Sequence, residues 1–239
     1  MRQHLIGLVL LLTIVGALPA CAQFSGRPSH YSAEAIEARV IDAETKQPLE
    51  GVIVTANWEL RGPATAGGSA PIGQLMVLET VTGKDGKFAF PAWGPERAHG
   101  ALLNRDPQLL LFKPGYRYRG LENEFRDGME LESIRRSEWH GKTIEMKLFK
   151  GAGEEYAEHV YDLGRDIDRM LDFARGDKEC NWKKVPRMLV ALDRMGLHFE
   201  SQGVKLKAWR LGQHVLRIED IPVNPRCGSP KEFLRSYLP

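Results

Sequence analysis

Residues Ala38 to Trp58, ARVIDAETKQPLEGVIVTANW, constrain this chain more than any other stretch. Ile36, Ala38 and Val40 alternate with Glu37, Arg39 and Ile41, and Val52, Val54, Ala56 and Trp58 alternate with Ile53, Thr55 and Asn57. A two-residue period of this kind is the mark of a half-buried strand. Between the runs, Asp42 and Thr45 supply side-chain acceptors for nearby N–H groups, Pro48 fixes its own φ and Gly51 accepts a positive φ. Two strands joined by a turn, read as a hairpin, are therefore expected.

Three further stretches extend this pattern. Gln74 to Thr82 reads as a strand, Gly83-Lys84-Asp85-Gly86 as a tight reversal, and Lys87 to Phe90 as a returning strand with Phe88 and Phe90 on one side. Gln108 to Phe112 is a wholly apolar run ended by Lys113-Pro114-Gly115-Tyr116. Thr143 to Phe149 places Ile144, Met146 and Leu148 inward and Glu145 and Lys147 outward. The motifs D-A-E-T-K-Q-P-L-E-G-V-I-V-T-A, T-G-K-D-G-K-F-A-F and K-P-G-Y, in this order, resemble a carboxypeptidase regulatory-like domain over residues 34–150. The resemblance implies an all-β, transthyretin-like sandwich of about seven strands, and it implies no reaction.

After Gly151 the period becomes helical. Tyr156, Val160, Leu163, Ile167, Met170 and Ala174 form one seam, and Val185, Leu189, Leu192, Met195 and Phe199 a second, with Pro186 suited to a first turn. Val204 to Ile218 reads as a weaker third helix interrupted by Gly212, and Ser229-Pro230-Lys231-Glu232 as a capping box opening a short helix to Leu238. Residues 151–239 are expected to be a small helical unit, making the chain α+β overall.

The N-terminus reads as an export signal. Arg2 precedes a thirteen-residue apolar run, Leu5 to Ala17. As a helix it spans roughly 20 Å, against a bilayer core of about 30 Å. Leu18-Pro19-Ala20-Cys21 is similar to the lipobox of bacterial lipoproteins. That resemblance implies removal of residues 1–20, acylation of Cys21, a membrane partnership through the attached lipid and, with Ala22 rather than Asp following, the outer membrane facing the periplasm. Residues 21–33 are then a tether. With Cys21 consumed, Cys180 and Cys227 remain as one pair for an oxidising compartment.

Lys and Arg number 33 against 31 Asp and Glu, so no overall charge draws the molecule to nucleic acid. Seven histidines fall in no H-x-H, H-E-x-x-H or related spacing. Glu155, Glu158, His159 and Asp162 share a side of the first helix but have no matching motif on a second. Tyr116, Tyr118 and His140 invite comparison with intradiol dioxygenases, yet the closely spaced histidine pair of that family is missing. There is no G-x-S-x-G elbow, and Gly67-Gly68-Ser69 lacks the rest of a phosphate loop. No catalytic residue, cofactor or metal ligand is therefore assigned, and the chain is expected not to be an enzyme.

The remaining candidate is the stretch from Arg117 to Lys142, read as an unusually long loop. It interleaves arginines with Tyr118 and Trp139 and contains six acids. Tyr118, Arg119, Arg135, Arg136, Trp139 and His140 are the candidate binding residues, for an envelope protein or glycan. Either the arginines gather on one face beside Tyr118 or Trp139, or they pair with the loop's own acids. The alternatives to a binding module are an enzyme with a dispersed site around His140 and Arg135 or Arg136, and a passive structural lipoprotein.

Overall fold

A computed structural model describes residues 29–63, 68–124, 132–206 and 215–238. The signal, Cys21, most of the tether, the middle of the Gly-rich loop 60–73 and Phe125 and Arg126 lie outside the described residues. So does most of the expected third helix.

The described strands are β1 (His30–Ala33), β2 (Ile36–Asp42), β3 (Ile53–Arg61), β4 (Pro71–Val81), β5 (Lys87–Phe90), β6 (Trp93–Arg97), β7 (Gln108–Phe112), β8 (Arg119–Leu121), β9 (Ile134–Arg135) and β10 (Thr143–Met146). They form sheets ordered β6-β1-β9, β10-β2-β5 and β4-β3-β7-β8. The first two continue one another. The antiparallel register of β1 with β6 near Ala33 and Trp93 is that of β2 with β5, and β9 and β10 both run parallel to this central pair. A three-stranded layer, broken across its width, thus faces the four-stranded sheet.

The helices α1 (Gly153–Met170), α2 (Pro186–Ser201) and α3 (Pro230–Leu234) accompany this β-rich body. No helix among the described residues is long and apolar enough to cross a membrane. Helices α1 and α2 lie against the other face of the four-stranded sheet, so that sheet is the middle of three layers. This explains β7. Leu109 and Leu111 belong to the core between the sheets, while Leu110 and Phe112 belong to the core shared with the helices, and all four are fully buried. A strand covered on both faces has no polar side to present. Thr55 and Asn57 on β3, expected on a half-exposed face, are buried for the same reason.

The expected hairpins are corrected. β2 and β3 do not pair: β2 joins β5 and β10, and β3 joins β4 and β7. The reversal at 42–51 is an arch from one sheet to the other, held by Asp42, whose carboxylate accepts the N–H groups of Thr45 and Glu44 and the hydroxyl of Tyr116. These bonds hold its pKa down at about 2. The 83–86 turn is a second arch, since β5 pairs with β2. At Gly86, φ is +74° and a Cβ would collide with the carbonyl of Val40, so glycine is required. Alternation assigns faces, and it is silent about which strand lies alongside.

Two further expectations change. Leu148 is exposed rather than inward, because β10 ends at Met146. The stretch 117–142 is not a structureless loop, since it contributes β8 to the four-stranded sheet and β9 to the other layer.

Specific polar contacts fasten the helical layer. Helix α2 has no side-chain cap of its own, and the buried Glu79 carboxylate of β4 accepts the N–H groups of Arg187 and Met188 at 3.1 and 2.8 Å. It acts as a cap borrowed from the sheet. Burial raises its pKa against these bonds. Cys180 and Cys227 form a disulfide with Cα atoms 5.4 Å apart, tying the turn before α2 to the segment before α3. Helix α1 docks through His159, whose Nε2 accepts the N–H of Tyr118 at 2.8 Å, and through Tyr156, whose hydroxyl accepts the N–H of Gly115 at 2.6 Å.

Candidate functional site

The six candidate residues do not converge. Tyr118 belongs to the helix interface, where its ring lies 4.6 Å from that of His159 and its hydroxyl donates to Asp166 at 3.1 Å. Burial and Asp166 push its hydroxyl pKa upward. Arg119 on β8 donates to the carbonyl of Glu145 at 3.0 Å. Trp139 donates its indole N–H to the carbonyl of Glu122 at 3.1 Å and carries Lys142 over its ring, and His140 Nδ1 accepts the N–H of Glu37 at 3.2 Å. Their partners Lys142 and Glu37, but not these two side chains, border a cavity of about 560 Å³ together with Arg39, Lys87 and Gly141.

Arg135 is the last residue of β9 and Arg136 the first beyond it, and their side chains diverge as continued strand alternation would turn them. Adjacent residues of a strand point to opposite faces. Arg136 is outward and pairs with Glu34 at 2.8 Å and Glu132 at 3.7 Å, and the Glu34 bond raises its pKa. Arg135 is inward, only 6 % exposed, level with Ala33 of β1, and it donates through Nη2 to the carbonyl of Leu103. Among the described residues neither sequence-derived arrangement is seen: Arg119, Arg135 and Arg136 do not gather on one face, and of the three only Arg136 pairs with an acid of its own segment, Glu132.

What the segment does build is a polar rim at one end of the sandwich. Asn123, two residues beyond the end of β8, is its hub. Its Nδ2 donates to the carbonyls of Asn104, Asp106 and Arg136 at 3.2, 2.9 and 2.8 Å, and its Oδ1 accepts the N–H of Glu138 at 2.9 Å. One buried amide thereby fixes the 104–106 turn, the end of β8 and the exit from β9. Around it lies a cavity of about 440 Å³ bordered by Asn104, Asn123, Glu124, Arg135, Arg136, Ser137 and Glu138. It presents amide, hydroxyl, carboxylate and guanidinium groups together.

Beneath the rim sits Asp106, 4 % exposed, with Oδ2 accepting the N–H of Leu103 at 2.9 Å. Burial raises its pKa to about 7, against the lowering effects of the Leu103 bond and Arg135. Neither Asp106 nor Asn123 was singled out in the sequence. The only local cue was an Asn or Asp in a turn, a pattern that usually means a solvent-exposed reversal.

Among the described residues no three or more His, Cys, Asp and Glu side chains are grouped so as to hold a metal. Tyr116, Tyr118 and His140 are engaged with Asp42, Asp166 and Glu37 respectively, so they assemble no common site.

No protein-family model matches the chain, and no curated protein matches it. Among solved structures, it is similar to 3-chlorocatechol 1,2-dioxygenase from Rhodococcus opacus 1CP at 15% identity and a TM-score of 0.28, covering 52% of this chain and 62% of that one. The dioxygenase domain of a dioxygenase carbohydrate-binding protein fusion from Streptomyces sp. SirexAA-E gives 15% identity and a TM-score of 0.28, covering 53% and 84%. The pilus 2b backbone protein of group B streptococcus gives 15% and 0.24, covering 48% and 41%. The chain thus spans less than two thirds of the first and third of these. They are distant β-rich folds, and they give no specific support to a carboxypeptidase regulatory-like domain.

One expectation is corrected by this comparison. The expectation that the chain is not an enzyme is withdrawn, because several of its structural neighbours are catechol or chlorocatechol 1,2-dioxygenases, which are enzymes. At TM-scores below 0.3 the likeness identifies neither a reaction nor an active-site residue for this chain.

Proposed function

We propose that this protein is a lipid-anchored module of the bacterial envelope, held through Cys21 in the outer membrane facing the periplasm, that binds a glycan or envelope protein at the rim around Asn123. The motif resemblance adds that its sandwich is of the carboxypeptidase regulatory-like kind. The observation that carries the binding reading is the rim cavity of about 440 Å³, whose border mixes hydrogen-bond donors and acceptors. A polyhydroxylated ligand matches such a border better than an apolar one, because each hydroxyl both donates and accepts. The disulfide supports an oxidising compartment such as the periplasm.

The test is a glycan array with the acylated full-length protein, in parallel with a crosslinked envelope pull-down. Arg136→Glu is the control variant, because that side chain is exposed at the rim and its replacement leaves the interior intact. A glycan signal reduced tenfold or more by the variant supports the reading. A blank array with a pull-down that recovers no partner sinks it. Labelling with an acyl precursor, lost in Cys21→Ser, tests the anchor separately.

A further inference from the structure

Under the rim two buried ionisable side chains, the carboxyl of Asp106 and the guanidinium of Arg135, grip the same residue from two sides. Asp106 accepts the N–H of Leu103 at 2.9 Å, and Arg135 donates to the carbonyl of Leu103. They are 4 % and 6 % exposed, and among the described residues they form no ion pair with each other. The other charged groups acting on Asp106 are Glu59 of β3, itself 3.0 Å from Arg61, and Arg105 in its own turn, 3.7 Å from Glu122. Arg135 Nε has no hydrogen-bond partner.

We propose that the Leu103–Asp106 turn is a proton-controlled latch on β9, closed while Asp106 is neutral and released when it ionises. A carboxylate sealed away from water with one N–H donor and no contacting cation is costly to charge. The Leu103 bond alone does not offset that cost, so relief comes from direct contact with Arg135, which takes the guanidinium from the Leu103 carbonyl, or from water entering as the turn opens. Movement there reaches the rim, since Asn123 ties the carbonyls of Asn104 and Asp106 to that of Arg136. The element set to yield is β9, a two-residue strand in register with Ser32 and Ala33 of β1 and bonded through its Arg135 carbonyl to the N–H of Glu34. The neutral form persists through mildly acidic conditions, because burial lifts the folded-state pKa of Asp106 from 3.8 to about 7.

The direction of the pH effect follows. Between these two values the folded state keeps a proton that the unfolded state has released, so folding stability falls as pH rises. The contribution is complete below about pH 4 and gone above about pH 7. The latch is independent of which ligand the rim takes.

Two measurements test it on the purified protein. The carboxyl carbon resonance of Asp106 in the wild type should titrate near neutrality, and amide exchange at Leu103 and Arg135, corrected for intrinsic rates, should be at least tenfold faster at pH 8 than at pH 6. In Asp106→Asn the exchange difference should vanish. The wild-type folded-to-unfolded ratio, relative to that variant, should fall about tenfold per pH unit between pH 5 and 7. An Asp106 resonance that titrates near pH 4, or equal protection of Leu103 and Arg135 at both pH values, overturns the proposal. The wild-type titration and exchange decide the matter even if the variant does not fold.

Discussion

The two faces of the four-stranded sheet are buried by different means. Its inner face meets the three-stranded layer through an apolar core of side chains such as Val54, Ala56, Trp58, Leu109 and Leu111, with bonds from Tyr116 to Asp42 and from Arg119 to the carbonyl of Glu145 added to it. Its outer face meets α1 and α2 through an apolar core as well, but that layer is also fixed by a carboxylate cap, a histidine acceptor, a tyrosine hydroxyl and a disulfide. Strands in facing sheets are positioned by backbone ladders that repeat along their length. A helix laid on a sheet has no such ladder, and its placement rests on a few specific contacts.

The largest expected effects test whether both faces are true cores. Leu109→Ala and Leu110→Ala remove neighbouring, fully buried side chains from the inner and outer core respectively. Each should cost about 2–5 kcal/mol in urea unfolding. A cost below about 1 kcal/mol for Leu110→Ala would mean that the helices only rest on the sheet.

Breaking the crosslink comes next. Replacing Cys180 and Cys227 by Ser should cost about 2–4 kcal/mol and expose the α2–α3 region to protease before the sandwich. Simultaneous digestion of both regions would instead join the two layers into one cooperative unit. Glu79→Ala should cost about 1–2 kcal/mol by uncapping α2, with a loss of helical circular dichroism. An unchanged midpoint would show that this buried carboxylate gains nothing from the cap beyond its desolvation cost.

The smallest effect concerns His159. Its acceptor nitrogen is needed in the neutral form, and burial followed by Arg117 lowers its pKa. A lowered histidine pKa means that the unfolded state takes up a proton first, so stability is intact above about pH 6.5 and declines as pH falls below it. His159→Ala should cost about 0.5–1.5 kcal/mol at pH 8 and flatten this acid limb. The two layers then carry opposite pH responses, with the helix contact weakening in acid and the Asp106 turn weakening toward alkaline pH. Wild-type exchange at Gly115 and Tyr118 that is insensitive to acid would remove the contrast.

Residue pattern alone determined the local elements and much of what is buried. Alternation grouped Ile36 with Ala38 and Val40, and Phe88 with Phe90, on faces that the structure buries, the apolar run marked β7, and the helical seams grouped Val160, Leu163 and Ile167, and Leu189 with Leu192, on faces that are also buried. Cysteine parity singled out Cys180 and Cys227, which the structure joins. These features are legible because a strand or helix repeats its preference every two or three to four residues.

Tertiary structure decided the rest. Nothing local states that the 42–51 and 83–86 reversals cross between sheets, because an arch and a hairpin share the same turn residues. Nothing local distinguishes Arg135 from Arg136, although one strand position separates a buried guanidinium from an exposed one. The rim depends on Asn123, Asp106 and Arg135 arriving from three segments, and Glu79 caps a helix that begins 107 residues further along the chain. Such contacts carry no periodic signature: each is a single polar group whose partner is fixed only when the layers close around it.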